Sequence, residues 1–374
     1  MINTQMNYPL VTSSEELGEH ALMCQHDGTI LFVVGKGGDG KTTVAKEVVC
    51  PALGLKGIEG EDFFTINASG SNPSEVKGAG VPDMKTREMW FAQPTHWPTH
   101  ARIGDSPCVL LLDELPEWDV ALQSLCRSLF NPNGPRPMIG EHELSANTFI
   151  IVTGNRRMDG SRSAIPSCPF VTRCTSVIWQ PTLDEWLTWA AKKDYASSPV
   201  YTFLTYNGLD QFGREGDFFS PPVPQPWDGS PQPCPREWEA CCKLTVEDAP
   251  EWSNDVLRKS IQAKVGMEAG NACFAFMGTV AKQLPLLEKI KDGKADWPSN
   301  EADQFALAHC ALRQAKMDSG RDPEAAVASG SLDWLVERVL LPARNEITEW
   351  GFKTALAVGI PLDQHPRRVD LQGV

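Results

Sequence analysis

A glycine-rich loop between two contrasting segments constrains the fold of this chain most strongly. The apolar run at 30–34 is followed by Gly-Lys-Gly-Gly-Asp-Gly-Lys-Thr at residues 35–42. This order requires a β-strand, a tight turn and the start of a helix in immediate succession. Glycines allow consecutive backbone N–H groups to point at one anion, and the new helix adds its positive N-terminal end. The pattern therefore predicts an α/β fold that carries a phosphate-binding loop.

The polar residues of the loop suit a nucleoside triphosphate. Lys41 is predicted to reach the β- and γ-phosphates, and the Thr42 hydroxyl is predicted to ligate Mg²⁺. The predicted nucleotide-binding residues in this segment are Gly35, Gly37, Gly38, Asp39, Gly40, Lys41, Thr42 and Thr43. The same stretch also resembles the phosphate loop of the ParA/MinD partitioning ATPases, in which the extra lysine, here Lys36, acts across a dimer.

Composition limits the class of protein. The chain has 374 residues, enough for two domains, and its net charge of −14 disfavours nonspecific nucleic-acid binding. No apolar run reaches membrane-spanning length, and residues 1–6 show no basic region followed by an apolar stretch, so we expect no signal peptide. The 11 cysteines have no repeated C-x-x-C spacing, which is typical of reduced thiols in a cytosol. We therefore expect a cytoplasmic protein without a membrane partner.

The pattern of apolar segments predicts several regions. Strand-like runs at 30–34, 63–68, 108–112, 148–153 and 176–179 alternate with helical stretches, which indicates a parallel sheet covered on both faces. A proline-rich stretch follows, and beyond it the pattern is helical, with apolar residues at 332, 335, 336, 339 and 340. The predicted regions are an N-terminal extension (1–27), an α/β core (28–211), a linker (212–235), a small all-helical lid (236–361) and a tail (362–374).

Two further strands end in polar residues. The run at 109–112 is followed by Asp113 and Glu114, and the run at 148–153 by Gly154 and Asn155. Parallel strands present functional groups at their carboxyl ends. Asp113 could there support Mg²⁺, Glu114 could activate a water, and Asn155 could hold that water against Glu114.

These three elements in this order resemble the AAA+ ATPases. Segments 67–83, 113–115, 153–155, 170–174, 181–187, 235–239 and 265–269 are similar to the MoxR-type branch, including versions found in bacteriophages. The similarity covers about residues 28–361. It implies a AAA+ phosphate-loop core with a helical lid, ATP and Mg²⁺ as cofactors, and a homo-oligomer, either a hexameric ring or an open spiral. It also excludes the partitioning ATPases, so that we expect Lys36 to be a solvated loop residue.

The resemblance implies roles for three arginines. Arg173 matches the arginine finger that reaches the ATP of a neighbouring subunit, and Arg162 is the other candidate for that role. Arg236 matches a sensor that the lid contributes to the ATP of its own subunit. A guanidinium suits both tasks because it is always charged and forks onto phosphate oxygens.

The resemblance also implies a biochemical function. Members of the branch remodel protein partners, often with a von Willebrand factor A-type protein, and a nucleic-acid motor or loader acting on DNA is the alternative. The candidate pore loops are the aromatic segment 89–91 and the expected hairpin at 133–142. The segment 89–91 can equally be hydrophobic core.

Overall fold

A computed structural model describes most of the chain. The described residues are 8–130, 136–159, 161, 163, 168–208, 218–223, 228–246, 248–319, 322–343, 345–357 and 359–371. They divide into two compact units: residues up to 181, together with Val223, form the first unit, and the other residues from 182 onward form the second.

All the strands among the described residues belong to the first unit. They are β1 (Leu10–Val11), β2 (Ile30–Gly35), β3 (Phe63–Ile66), β4 (Gly80–Asp83), β5 (Glu88–Phe91), β6 (Cys108–Leu112), β7 (Met138–Ile139), β8 (His142–Glu143), β9 (Thr148–Asn155) and β10 (Cys174–Trp179). Strands β2, β3, β6, β9 and β10 correspond to the five predicted runs, with small differences at their ends.

A parallel sheet organises the first unit, as predicted. Its six described strands run in the order β1-β10-β2-β9-β6-β3, and every neighbouring pair is parallel. Strand β9 lies between β2 and β6, with Gly35 opposite Asn155 and Leu112 opposite Val152. The phosphate loop, the Asp-Glu pair and Asn155 therefore meet at the carboxyl edge of the sheet.

Helices cover both faces of this sheet because its central strands are apolar on both sides. Successive residues of β2, such as Phe32 and Val33, belong to different hydrophobic clusters on the two faces. Burying each large side chain contributes about 1.5–3 kcal/mol. The α-helices of this unit are Ser14–Asp27, Lys41–Val44, Cys50–Ala52, Pro73–Lys77, His100–Ile103, Val120–Leu125 and Cys168–Val171. A π-helical segment spans Ala45–Val49, and 3-10 turns span Leu115–Glu117, Cys126–Phe130 and Arg157–Asp159.

The regular secondary structure of the second unit's described residues is helical. Its α-helices are Leu183–Lys192, Pro199–Gly208, Pro235–Lys243, Asn254–Val265, Met267–Lys291, Glu301–Ser319, Pro323–Ala328, Asp333–Leu335, Asn345–Ala357 and Arg368–Leu371. A π-helical segment spans Val336–Leu340, and 3-10 turns span Tyr195–Ser197 and Leu362–Gln364. The predicted apolar face is confirmed, because the five residues at 332, 335, 336, 339 and 340 are completely buried.

The division into units differs from the expected regions. Residues 8–27 supply β1 and a helix to the first unit, so they are not a separate extension. Residues 182–208 join the helical unit, since Trp186 packs against Phe219 with ring centroids 5.8 Å apart. Phe219 lies in the expected linker and is nevertheless buried in this core, as is Leu371 of the expected tail. Hydrophobic periodicity predicts a helix, but it does not say which core the helix joins.

An exposed β-hairpin projects from the first unit. Strands β4 and β5 pair antiparallel, with Val81 opposite Trp90. Trp90 is 53% exposed, Met89 60% and Met84 87%, whereas Phe91 is half-buried beneath the Lys77 ammonium. The aromatic segment 89–91 therefore lies at the surface rather than in the core. Strands β7 and β8 form the hairpin expected within 133–142, of which residues 133–135 lie outside the described part.

Candidate nucleotide site

The phosphate loop follows β2 directly, as the motif requires. Gly38 and Gly40 have φ of +91° and +79°, the left-handed conformation that glycine adopts without strain. Gly35 lies so close to Trp179 that a Cβ atom would stand 2.6 Å from the Trp179 carbonyl oxygen. Gly37 is exposed, and the helix begins at Lys41. These glycines allow the tight path from strand to helix.

Lys41 connects the loop to the neighbouring strand. Its ammonium donates to the carbonyl oxygens of Gly35 and Lys36 at 3.1 and 2.9 Å, and to Asn155 Oδ1 at 2.8 Å. The side chain is only 8% exposed. A buried ammonium is stabilised only when it is hydrogen-bonded, so these contacts hold the charge at the mouth of the loop.

A hydroxyl and a carboxylate pair at the predicted metal position. Thr42 Oγ1 donates to Asp113 Oδ1 at 3.3 Å, and Thr43 follows half-buried in the helix. Thr153 Oγ1 donates to the same carboxylate oxygen at 2.6 Å and accepts the backbone N–H of Glu114 at 2.9 Å. This buried threonine, absent from our predictions, fixes both acidic residues against β9. Carboxylate and hydroxyl oxygens suit Mg²⁺, so the donor set fits that ion.

Asn155 joins the loop to two carboxylates. Its amide nitrogen donates to Glu114 Oε1 at 3.0 Å and to Glu117 Oε1 at 2.9 Å, while its oxygen accepts from Lys41. Glu114 has φ of +56°, an uncommon left-handed conformation for this residue type that turns the chain sharply after Asp113. The structure thus brings together Lys41, Glu114 and Asn155 as predicted, and it adds Glu117.

Asp39 is a buried carboxylate within the loop. Its Oδ2 accepts the backbone N–H of Lys36 at 3.1 Å. Burial raises the pKa of Asp39 to about 6, although the charges of Lys41, Lys36 and Arg156 act in the opposite direction. Lys36 is 5% exposed, so our expectation of a solvated residue is wrong. The loop is covered by Trp179, whose indole N–H donates to the Asp39 carbonyl at 2.8 Å, a contact across 140 residues of sequence.

Of the predicted arginines, Arg173 lies away from this cluster within the first unit. The Ile30 N–H donates to the Arg173 carbonyl at 3.3 Å, which puts Arg173 at the amino-terminal edge of the sheet. The loop lies at the other end of β2, roughly 17 Å away at the usual rise of a strand. Arg236 is exposed in the first turn of the helix Pro235–Lys243, in the second unit. Arg162 lies outside the described residues.

The motifs alone do not identify several of the residues in this cluster. Thr153 immediately precedes Gly154-Asn155, and Glu117 lies three residues after Glu114, so both were near recognised motifs. Ser161 and Ser163 also donate to Glu117, and nothing in their local pattern indicates that contact. The sequence feature that could identify Thr153 and Glu117 is the clustering of acidic and hydroxyl residues near the ends of strands.

Fold and site together define a class. The chain is an α/β protein with a phosphate-loop core, built on a parallel sheet, and a second, helical unit.

Comparison with known proteins adds little to this. No protein-family model matches the sequence, and no curated protein is similar to it. Among solved structures, a closed-state reconstruction of Hsp104 with ATPγS and FITC casein is 13% identical, with a TM-score of 0.37, over 75% of this chain and 46% of that one. The chain thus spans under half the length of the Hsp104 chain.

The NtrX protein of Brucella abortus is also similar in structure. One NtrX structure is 16% identical at a TM-score of 0.32, over 90% of this chain and 70% of that chain. Another NtrX structure, in complex with ADP, is 15% identical at a TM-score of 0.35, over 87% of this chain and 70% of that chain. TM-scores this low carry no weight for the function of this chain.

Proposed function

We propose that this protein is an ATPase of the AAA+ type that uses Mg²⁺ and belongs with the MoxR-like branch. One observation carries the proposal. At the carboxyl ends of three adjacent parallel strands, the Asn155 side chain is hydrogen-bonded to Lys41 and Glu114, and Thr42 is hydrogen-bonded to Asp113 beside them. Such an edge is where α/β sheets bind nucleotides.

Each side chain has a task in phosphoryl transfer to water. Thr42 and Asp113 would hold Mg²⁺, which supplies charge neutralisation for the phosphates when bound. Lys41 would exchange its contacts with loop carbonyls for phosphate oxygens. Glu114 accepts protons and Asn155 offers both a donor and an acceptor, so together they can orient a water for in-line attack.

A second copy of the chain would complete the site. Arg173 lies at the opposite edge of the sheet from the loop of its own chain, so a role for it at a phosphate requires a neighbouring subunit. Head-to-tail interfaces of this kind close into rings or run as open spirals. We propose a hexamer, with Arg236 as a lid contribution to the same nucleotide.

We propose a protein partner, either a substrate or a von Willebrand factor A-type protein. Met84, Met89 and Trp90 on the β4–β5 hairpin form an exposed apolar surface, which suits contact with a polypeptide. The net charge of −14 disfavours a DNA-directed motor. Among the described residues no helix is long and apolar enough to cross a bilayer. The described cysteines are free thiols, in keeping with a cytoplasmic setting, which is that of the host if the chain is encoded by a bacteriophage.

Nucleotide binding and phosphate release test the proposal directly. Wild-type protein should bind Mg·ATP and release phosphate, and Lys41→Ala should weaken binding about 10- to 100-fold, because a charge-assisted hydrogen bond contributes about 1.5–3 kcal/mol. The exposed Lys56 offers a matched control, so Lys56→Ala should behave as wild type. Full activity in Lys41→Ala, or no binding by the wild type, would contradict the proposal. Strong, salt-sensitive stimulation by DNA would instead favour a nucleic-acid motor.

A further inference from the structure

Glu117 gathers three hydrogen bonds on a single carboxylate oxygen. Its Oε1 accepts from Asn155 Nδ2 at 2.9 Å, from Ser161 Oγ at 2.7 Å and from Ser163 Oγ at 3.0 Å. The residue ends the 3-10 turn Leu115–Glu117 that follows the acidic pair. Neither the motif nor the proposed reaction assigns this carboxylate a role.

The backbone that carries this carboxylate is fixed at both ends. The Trp118 indole N–H donates to the Asp113 carbonyl at 2.9 Å, which closes the turn. Pro116 is buried against β9, where a Cβ atom on Gly154 would stand 3.0 Å from the proline Cγ. The glycine therefore lets the turn approach the strand closely, and the carboxylate is held beside the end of β9.

The hydrogen bond to Glu117 helps to fix the orientation of the Asn155 amide. An amide has one oxygen and two N–H groups. The oxygen accepts from Lys41, one N–H serves Glu114 and the other serves Glu117. Burial opposes ionisation of Glu117, but hydrogen bonds from the amide and the two serines lower its pKa, so at neutral pH the carboxylate is a pure acceptor. The amide is thus fixed in one orientation.

We propose that Glu117 is a positioning residue for hydrolysis, which holds the Asn155 amide with its oxygen toward Lys41 and its nitrogen toward Glu114. The inference rests on the proposed ATPase function. When Lys41 turns to phosphate and Glu114 turns to water, the amide loses both of those partners. Glu117 is then the anchor that keeps the amide from rotating, and Ser161 and Ser163 keep Glu117 in place.

Three substitutions at Glu117 distinguish the effect of side-chain length from the effect of side-chain charge. All three hydrogen bonds use Oε1, so Glu117→Gln can retain them and should keep kcat within about threefold of wild type. Glu117→Asp keeps the charge but shortens the side chain, and Glu117→Ala removes it. Both should lower kcat by about 10- to 100-fold, the usual effect of misplacing a group by an ångström, with KM for ATP nearly unchanged. The exposed Glu61 provides the control Glu61→Ala, which should have no effect.

A double-mutant cycle identifies the residue through which Glu117 acts. In an Asn155→Ala background, Glu117→Asp should cause no further loss, because the group that it positions is absent. Additive losses, or wild-type kcat in folded Glu117→Asp and Glu117→Ala proteins, would overturn this inference while leaving the ATPase proposal intact. A wild type without ATPase activity would overturn both. Thermal unfolding of each variant checks the fold, and Glu117→Asp remains informative if Glu117→Ala does not fold.

Discussion

The buried carboxylate of Asp39 should make the stability of the first unit depend on pH. Asp39 is 3% exposed, and burial raises its pKa from 3.8 to about 6. The folded state therefore binds the proton more tightly than the unfolded state does. As pH rises through about 4 to 6, the unfolded state ionises first, so that the free energy of unfolding falls and then levels off.

The size of this effect follows from the two pKa values. A rise from 3.8 to about 6 is worth ~3 kcal/mol, at about 1.4 kcal/mol for each pKa unit. An asparagine in place of Asp39 is nearly isosteric, and its oxygen can still accept the Lys36 N–H. Asp39→Asn should therefore be more stable than wild type by up to ~3 kcal/mol at pH 7–8, by roughly half that at pH 5, and by less than about 0.5 kcal/mol below pH 4.

Chemical denaturation at pH 5, 6, 7 and 8 measures this difference in the free energy of unfolding. The signal monitored is the unfolding of the first unit. The control is Glu61→Gln, the same carboxylate-to-amide change at an exposed position, which should shift stability by less than about 0.5 kcal/mol at every pH. A stability gain in Asp39→Asn that does not change with pH, or a loss at pH 8, would refute the reasoning about burial.

Two further predictions concern assembly and partner binding. Arg173→Ala should lower kcat by roughly 10³-fold or more while ATP binding persists. Mixing Arg173→Ala subunits with Glu114→Gln subunits should restore some phosphate release. No recovery in intact mixed oligomers would count against a role of Arg173 across subunits. Trp90→Ala should change stability by less than about 0.5 kcal/mol, because the side chain is 53% exposed, yet weaken binding of a labelled unfolded polypeptide in a fluorescence titration. Unchanged binding would mean that the hairpin is not the contact surface.

Much of the core was predictable because its signals are local. A strand, a glycine-rich turn and a lysine identify the phosphate loop within a dozen residues, and the apolar runs predict the parallel strands. Register was not predictable in the same way. Nothing local indicates that β9 lies between β2 and β6, and that insertion is what puts Asn155 opposite Gly35.

The failed expectations share a physical cause, which is long-range packing. Exclusion of the partitioning ATPases implies a solvated Lys36, but the residue is buried, in a loop whose Asp39 carbonyl accepts from Trp179 far along the chain. Glu117 follows a recognised motif, yet its contact with Asn155 depends on Pro116 packing against Gly154. The helices at 183–208 belong to the second unit rather than to the expected core, a placement that periodicity does not predict because it says nothing about a helix's partners.

The most direct test of the central claim compares one substitution at two carboxylates that bind the same amide. Glu114→Gln and Glu117→Gln can each keep the hydrogen bond from Asn155, since both use Oε1. Single-turnover hydrolysis of Mg·ATP should be at least about 10²-fold slower in Glu114→Gln, with ATP still bound, because the general base is lost. Glu117→Gln should hydrolyse at nearly the wild-type rate. Wild-type turnover by Glu114→Gln would contradict the assignment of this site as the centre of ATP hydrolysis.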